Sequence, residues 1–257
     1  MTARAFPFVD LATVLARARD APPGFRPVIA TDADGTLWAG DIGDALFAAV
    51  GRARDIRGEA LTKLRARAVT HLGVDTPDDV SALAVALMER YARGEIAIEA
   101  MCDLEAEALG DRTLEEYKSL LERVGAEIAR NVRPAVREML IAARAAGMTI
   151  HIVSGSLGAS VETVCRLAGL PFDTVTGGVL EVRGGFVLSQ LAGAIPLFEG
   201  KVRALERVGA SPAAVAMGDG GWDVTFLRDA HVPVLVHPKP ALVDSMRGHA
   251  RAVCLSV

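Results

Sequence analysis

The chain has 257 residues, 51% of them apolar, and its 28 Lys and Arg against 32 Asp and Glu leave a formal charge of −4. Such a composition buries a sizeable core, and the length suits one large domain or one domain carrying an insertion rather than a disordered chain. The mild acidity without any Lys/Arg-rich block argues against nucleic-acid binding. No apolar run approaches the roughly 18 residues of a membrane span, and Asp10 sits where a signal peptide would be apolar, so the expectation is a cytoplasmic protein with no membrane partner.

Residues 27–32 (PVIATD), entered from a Pro/Gly-rich segment, are short, apolar and β-branched and predict the first strand. From 43 to 130 no strand is convincing. Helices are expected over 44–50 and 57–71, and then from Thr76 as N-cap and Pro77 in the first turn, with Val80, Leu83, Leu87, Met88 and Tyr91 on one face. Thr113 with Glu116 predicts a capping box opening a helix over 113–129. Beyond it, strands at 149–153, 172–176, 213–217 and 232–236 alternate with helices at 134–146, 157–168, 199–208, 222–229 and 241–247. A hairpin is expected from the runs 179–182 and 185–189, separated by Arg183 and Gly184. This alternation predicts an α/β fold, a doubly wound, Rossmann-like parallel sheet built from 1–42 and 131–257, with an all-helical cap inserted over 43–130.

The chemistry gathers at strand ends. The first strand runs into Asp32-Ala33-Asp34-Gly35-Thr36, where an open parallel sheet binds its ligand, so Asp32 suits a nucleophile or metal ligand and Asp34 a general acid/base. Taken alone, the segment is equally an Asp/Gly turn closing a strand. A second strand runs into Gly218-Asp219-Gly220-Gly221-Trp222-Asp223, and four acids on neighbouring strand tips call for a cation, of which a hard divalent ion such as Mg²⁺ is the economical choice. A third ends in Ser154-Gly155-Ser156 just before a helix, where a hydroxyl, backbone N–H groups and the helix N-terminus suit an anion, although Ser154 alone is also an ordinary helix cap. Lys201 by itself reads as a surface charge; in this company it is the cation for a transferring phosphoryl group.

The order DADGT, VSGS, GK and GDGGWD resembles the four motifs of the haloacid dehalogenase superfamily, and the helical insertion after the first is similar to the cap of its phosphoserine phosphatase-like group. The resemblance implies a Mg²⁺-dependent phosphomonoester hydrolase. Asp32 would form an aspartyl phosphate, and Asp34 would protonate the leaving oxygen and then activate water. Ser154, Gly155 and Lys201 would hold the phosphoryl oxygens. Asp32, Asp219 and the Asp34 carbonyl would bind the metal, with Asp223 supporting them. Asp34 favours a phosphate ester over a halide, which needs no proton on leaving.

Two departures bear on the substrate, expected to be a small phosphate ester. Where the resemblance expects a cap Arg for a substrate carboxylate, this chain offers Asp103, Glu105 and Glu107, while Asp41 stands where the group places an acid for a substrate ammonium. Both tryptophans, Trp38 and Trp222, lie in or beside motifs, where an indole can receive an ammonium by cation–π contact. Together these predict an amino-alcohol phosphate such as phosphocholine or phosphoethanolamine; the plainer reading packs both indoles in the core and leaves the acids on a solvated helix face. Phosphoserine phosphatase, a phosphotransferase or mutase of the superfamily, and a non-catalytic phospholigand-binding module are the alternatives. His71, His151, His231, His237 and His249 show no metal-ligand spacing, and Cys102, Cys165 and Cys254 suit buried thiols. Nothing in the sequence signals an oligomeric state.

Overall fold

The computed structural model describes residues 6–73 and 76–255. The chain begins with β1 (Phe8–Val9), α1 (Leu11–Arg19) and β2 (Arg26–Thr31). A helical run follows: α2 (Ile42–Arg52), α3 (Gly58–Leu72), α4 (Val80–Ala92), α5 (Ile98–Glu107) and α6 (Leu114–Ala129), with the two-residue strand β3 (Arg112–Thr113) before α6. Alternation resumes with α7 (Pro134–Ala145), β4 (Thr149–Leu157), α8 (Gly158–Ala168) and β5 (Thr174–Gly178), then the hairpin β6 (Leu180–Arg183) and β7 (Phe186–Leu191). It closes with α9 (Glu199–Arg207), β8 (Ala213–Gly218), a 3-10 turn at Gly221–Asp223, α10 (Val224–Asp229), β9 (Val232–Leu235), α11 (Pro240–Met246) and β10 (Val253–Leu255). Among these residues no helix is long and apolar enough to cross a membrane.

A seven-stranded parallel sheet runs in the order β1-β10-β9-β8-β2-β4-β5, flanked by helices. Its strands β8, β9 and β10 are buried along their whole length and almost wholly apolar because both faces are covered. Successive side chains of β2 feed opposite faces. Val28 and Ala30 pack with Phe226, Leu227 and Leu242, whereas Ile29 joins a cluster that continues into Phe47, Leu64, Leu87 and Leu121 of the helical insertion. At roughly 1.5–3 kcal/mol for each fully buried large apolar side chain, this shared core holds the helical run against the sheet. Since β2 pairs with β8 on one side and β4 on the other, the C-terminal ends of all three strands adjoin at the switch point where such sheets bind ligands.

The structure corrects some expectations and agrees with others. The acid that interrupts the apolar start, Asp10, caps α1 by accepting from the Thr13 amide at 2.8 Å. Helix α4 is capped by Asp79, which accepts from the Ala82 amide, so Pro77 lies outside it and Thr76 instead donates to the Gly73 carbonyl at 2.7 Å. Strand β4 runs four residues further than expected because pairing with β5 resumes at Leu157 opposite Gly178, and this places Ser154, Gly155 and Ser156 on extended chain rather than at a helix cap. The hairpin turns at Gly184 and Gly185, whose φ of +57° and +81° suit the tight turn. Its strand β7 pairs with β3, so the helical insertion carries one short strand and meets the hairpin in a small antiparallel sheet. The capping box at Thr113 and Glu116 is present as expected.

Candidate active site

The sheet brings three motifs to one place. Asp32 directly follows β2 and its amide donates to the Met217 carbonyl of β8 at 2.9 Å; Asp219 follows β8, and Ser154 lies near the end of β4. Lys201, fully buried in the first turn of α9, donates to Asp32 Oδ1 and Asp223 Oδ1, both at 2.6 Å. Burial opposes its charge, but Asp223 and Asp32 outweigh that and hold the ammonium's pKa above its ordinary value. Burial, then the charge of Asp223, pushes Asp32 well above the usual carboxylate range, with Lys201 pulling the other way. Asp223 Oδ2 accepts from the amides of Asp219 at 3.1 Å and Gly220 at 3.0 Å, so this carboxylate braces the loop that carries Asp219.

One oxygen from each of Asp32, Asp219 and Asp223 lies within 4.8 Å of the others. Asp219 Oδ1 is buried with no hydrogen-bond partner, while its Oδ2 meets Lys239 Nζ at 3.0 Å. A cluster of carboxylate oxygens with one left unsatisfied fits a hard divalent cation. Burial pushes Asp219 up to about 6, against the pull of Lys239. Gly35, at φ +77°, passes so close to Asp219 that a Cβ there would collide with the carboxylate, which explains the glycine in DADGT.

Asp34 faces away from that cluster. Its Oδ1 accepts from Trp38 Nε1 at 2.8 Å and the Ile42 amide at 2.7 Å, and its Oδ2 accepts from Ser156 Oγ at 2.7 Å, with Ser154 Oγ at 3.5 Å. Burial raises its pKa, and the Ser156, Ile42 and Trp38 donors hold the rise back.

These groups open into a cavity of about 650 Å³ whose far wall comes from α2, α4 and α5. Asp41, Asp44 and Glu105 line it, each with an oxygen within 4.8 Å of the others, and none of the three forms an ion pair among the described residues. Asp41 also caps α2 by accepting from the Asp44 amide at 3.1 Å. Burial and then neighbouring acids raise Asp41 and Glu105 well above the usual carboxylate range.

The family profile of the haloacid dehalogenase-like hydrolases matches residues 29–228. The chain belongs to that family. A curated phosphoserine phosphatase of Halobacterium salinarum is 31% identical over 201 residues, covering 74% of this chain and 84% of that protein. Among solved structures, a Bordetella pertussis Tohama I protein of unknown function has a TM-score of 0.69 at 20% identity, covering 90% of this chain and 99% of that one. A substrate-bound phosphoserine phosphatase has a TM-score of 0.56 at 17% identity, covering 90% and 92%. These likenesses show the fold, and the family match with the curated relative makes the chain a phosphoric monoester hydrolase of phosphoserine phosphatase-like character.

Of the residues expected at the hydrolase's site, Asp32, Asp34, Asp41, Glu105, Ser154, Gly155, Asp219 and Trp222 line the cavity, with Lys201 and Asp223 buried beneath them. The two tryptophans expected to receive a substrate cation are placed differently, Trp222 at the cavity and Trp38 away from it. Trp38 is fully buried, with its N–H spent on Asp34. Trp222 already carries a cation of the protein's own: Lys239 Nζ lies 4.2 Å from its ring centroid. Asp103 and Glu107 pair with Arg67 at 3.5 and 2.8 Å, which leaves Glu105 as the one acid of that helical register facing the cavity. Asp44, Ser156, Arg133, His237 and Lys239 were not expected there. Ser156 was within reach, since strand alternation puts it on the same face as Ser154. Arg133, whose side chain donates to the Gly35 carbonyl at 3.0 Å, and Lys239 enter from segments whose position depends on strand order, which spacing does not reveal.

Proposed function

We propose that this hydrolase is a Mg²⁺-dependent phosphomonoester phosphatase working through an aspartyl phosphate on Asp32, and that its substrate is a small ester whose leaving alcohol carries a cation, such as phosphocholine or phosphoethanolamine. The observation carrying the substrate class is the group of three carboxylates, Asp41, Asp44 and Glu105, turned into the cavity without a basic partner among the described residues. Crowded acids in a partly dry site stay ionised most easily beside a cation, and a substrate ammonium supplies one.

In the first step Asp32 attacks phosphorus, the ester P–O bond breaks, and the Asp34 carboxyl gives its proton to the departing oxygen, releasing the alcohol. The Ser154 hydroxyl, the Gly155 backbone and the Lys201 ammonium steady the phosphoryl oxygens, and the Lys201 contact holds Asp32 in place for attack. In the second step Asp34 takes a proton from water, whose oxygen attacks phosphorus; inorganic phosphate leaves and the Asp32 carboxylate is restored. Asp32, Asp219 and the Asp34 carbonyl, with Asp223 behind them, would hold Mg²⁺, which would supply charge neutralisation at the phosphoryl group.

The test is a panel of phosphomonoesters assayed with Mg²⁺. Amino-alcohol phosphates should exceed neutral sugar phosphates in kcat/KM by on the order of tenfold or more, the worth of one charge-assisted contact. Faster turnover of the neutral esters rejects the substrate class. The Halobacterium salinarum relative favours a second reading, phosphoserine phosphatase. Phosphoserine turning over faster than phosphoethanolamine would establish it, against the repulsion that Glu105 presents to a substrate carboxylate.

A further inference from the structure

The two oxygens of Asp34 are held in chemically different ways. Oδ1 receives an indole N–H from Trp38 at 2.8 Å and a backbone N–H from Ile42 at 2.7 Å. Both groups only donate, so Oδ1 is committed as an acceptor. Oδ2 receives the Ser156 hydroxyl at 2.7 Å, and a hydroxyl can rotate from donor to acceptor. A buried indole commonly finds some acceptor, usually an inert one; here the acceptor is the acid itself.

The indole's aim is set by bonds that involve no substrate. Trp38 is fully buried and bridges Asp34 on one side and Val132 on the other. The turn around it is stitched to the segment before α7, with the Ala39 amide on the Asn131 carbonyl at 3.0 Å and the Arg133 amide on the Leu37 carbonyl at 2.9 Å.

We infer that Trp38 is a positioning residue which, with the Ile42 amide, clamps Asp34 through Oδ1 so that Oδ2 is the oxygen that exchanges the proton, and that Ser156 is the partner whose hydroxyl follows that proton. When Asp34 donates, the proton leaves Oδ2 for the leaving-group oxygen, and the Ser156 O–H turns to donate to the bared carboxylate. When Asp34 accepts a proton from water, the hydroxyl turns back. This rests on the reading of Asp34 as general acid/base.

The test separates steps by leaving group, in single-turnover phosphorylation of the Mg²⁺-loaded enzyme by the best alkyl phosphate of the panel and by p-nitrophenyl phosphate, whose leaving group needs no proton. Trp38→Phe and Ser156→Ala should each slow phosphorylation by the alkyl ester about ten- to a hundredfold, the usual toll of a misplaced catalytic group, and change that by the aryl ester less than about threefold. Ser156→Thr, which keeps the hydroxyl, should recover most of the alkyl rate. Equal losses on both esters, or none on the alkyl ester, overturn the inference. Should Trp38→Phe fail to fold, the serine pair decides alone. Asp34→Asn is the control: if it shows no alkyl-over-aryl selectivity, the general-acid reading has failed; if it shows that selectivity and the Trp38 and Ser156 variants do not, only the positioning roles have.

Discussion

Two groups of acids face each other across the cavity, and they are handled in opposite ways. Asp32 and Asp223 share one buried ammonium, Lys201, at 2.6 Å each, and Asp219 has Lys239 at 3.0 Å. Asp41, Asp44 and Glu105 are equally close-set but receive no basic side chain among the described residues. Removing charges from water costs several kcal/mol per ion unless they are paired, so the first group is largely compensated by the protein's own lysines even before a metal binds, and the second draws wholly on something brought from outside. In the first group the chain's cations serve the chemistry; in the second, the missing cation serves selection.

The largest effect tests the compensated side. Asp32→Asn should abolish turnover by at least about a thousandfold, as loss of a nucleophile does, while thermal melting stays cooperative; normal activity would remove the nucleophile assignment. Next is Lys201→Met, which leaves Asp32 and Asp223 buried with no ammonium. Loss of one partner of a buried pair costs about 3–5 kcal/mol, measurable by urea denaturation, and added Mg²⁺ should recover part of the loss by binding the folded state. Unchanged stability would mean these acids do not need the lysine.

The smallest effect tests the open side. Because the folded-state pKa of Glu105 is raised, by burial first and Asp41 second, the folded protein holds this proton more tightly than the unfolded chain does. Its contribution to stability is therefore greatest at low pH and declines as pH rises through the ordinary carboxylate value toward the raised one. Glu105→Gln should stabilise the substrate-free protein near neutral pH by on the order of 1 kcal/mol, since a tenfold difference in proton affinity between the folded and unfolded chain is worth about 1.4 kcal/mol. The gain should vanish near pH 4 in a melting series. A destabilised Glu105→Gln would show that the three acids are already compensated.

The compensated group was largely legible in the sequence. PVIATD and AAVAM are apolar runs that end abruptly in acids, and strand ends in a parallel sheet are where ligands bind, so their position followed from pattern alone. Lys201 became legible only in their company. The short strands β1 and β10 were not, because two or three residues carry no periodicity and their pairing is made across nearly the whole chain. The choice between core packing and cation binding for Trp38 was open for a different reason. A sequence shows an indole beside a motif, but not that the ring is fully buried with its N–H turned to Asp34 rather than its face to the cavity. Glu105 stood beside Asp103 and Glu107 in one acidic register, and only the packing of α5, with Arg67 pairing with the other two, singles it out.

The most direct measurement compares phosphocholine with its neutral isostere, 3,3-dimethylbutyl phosphate, in the wild type and in Glu105→Gln. The two esters differ in charge and hardly in shape. The uncompensated acids predict that the wild type prefers phosphocholine in kcat/KM by about tenfold or more, and that Glu105→Gln erases most of that preference by weakening phosphocholine while sparing the isostere. Equal kcat/KM for the two esters in the wild type would contradict selection of a cationic leaving group by this site.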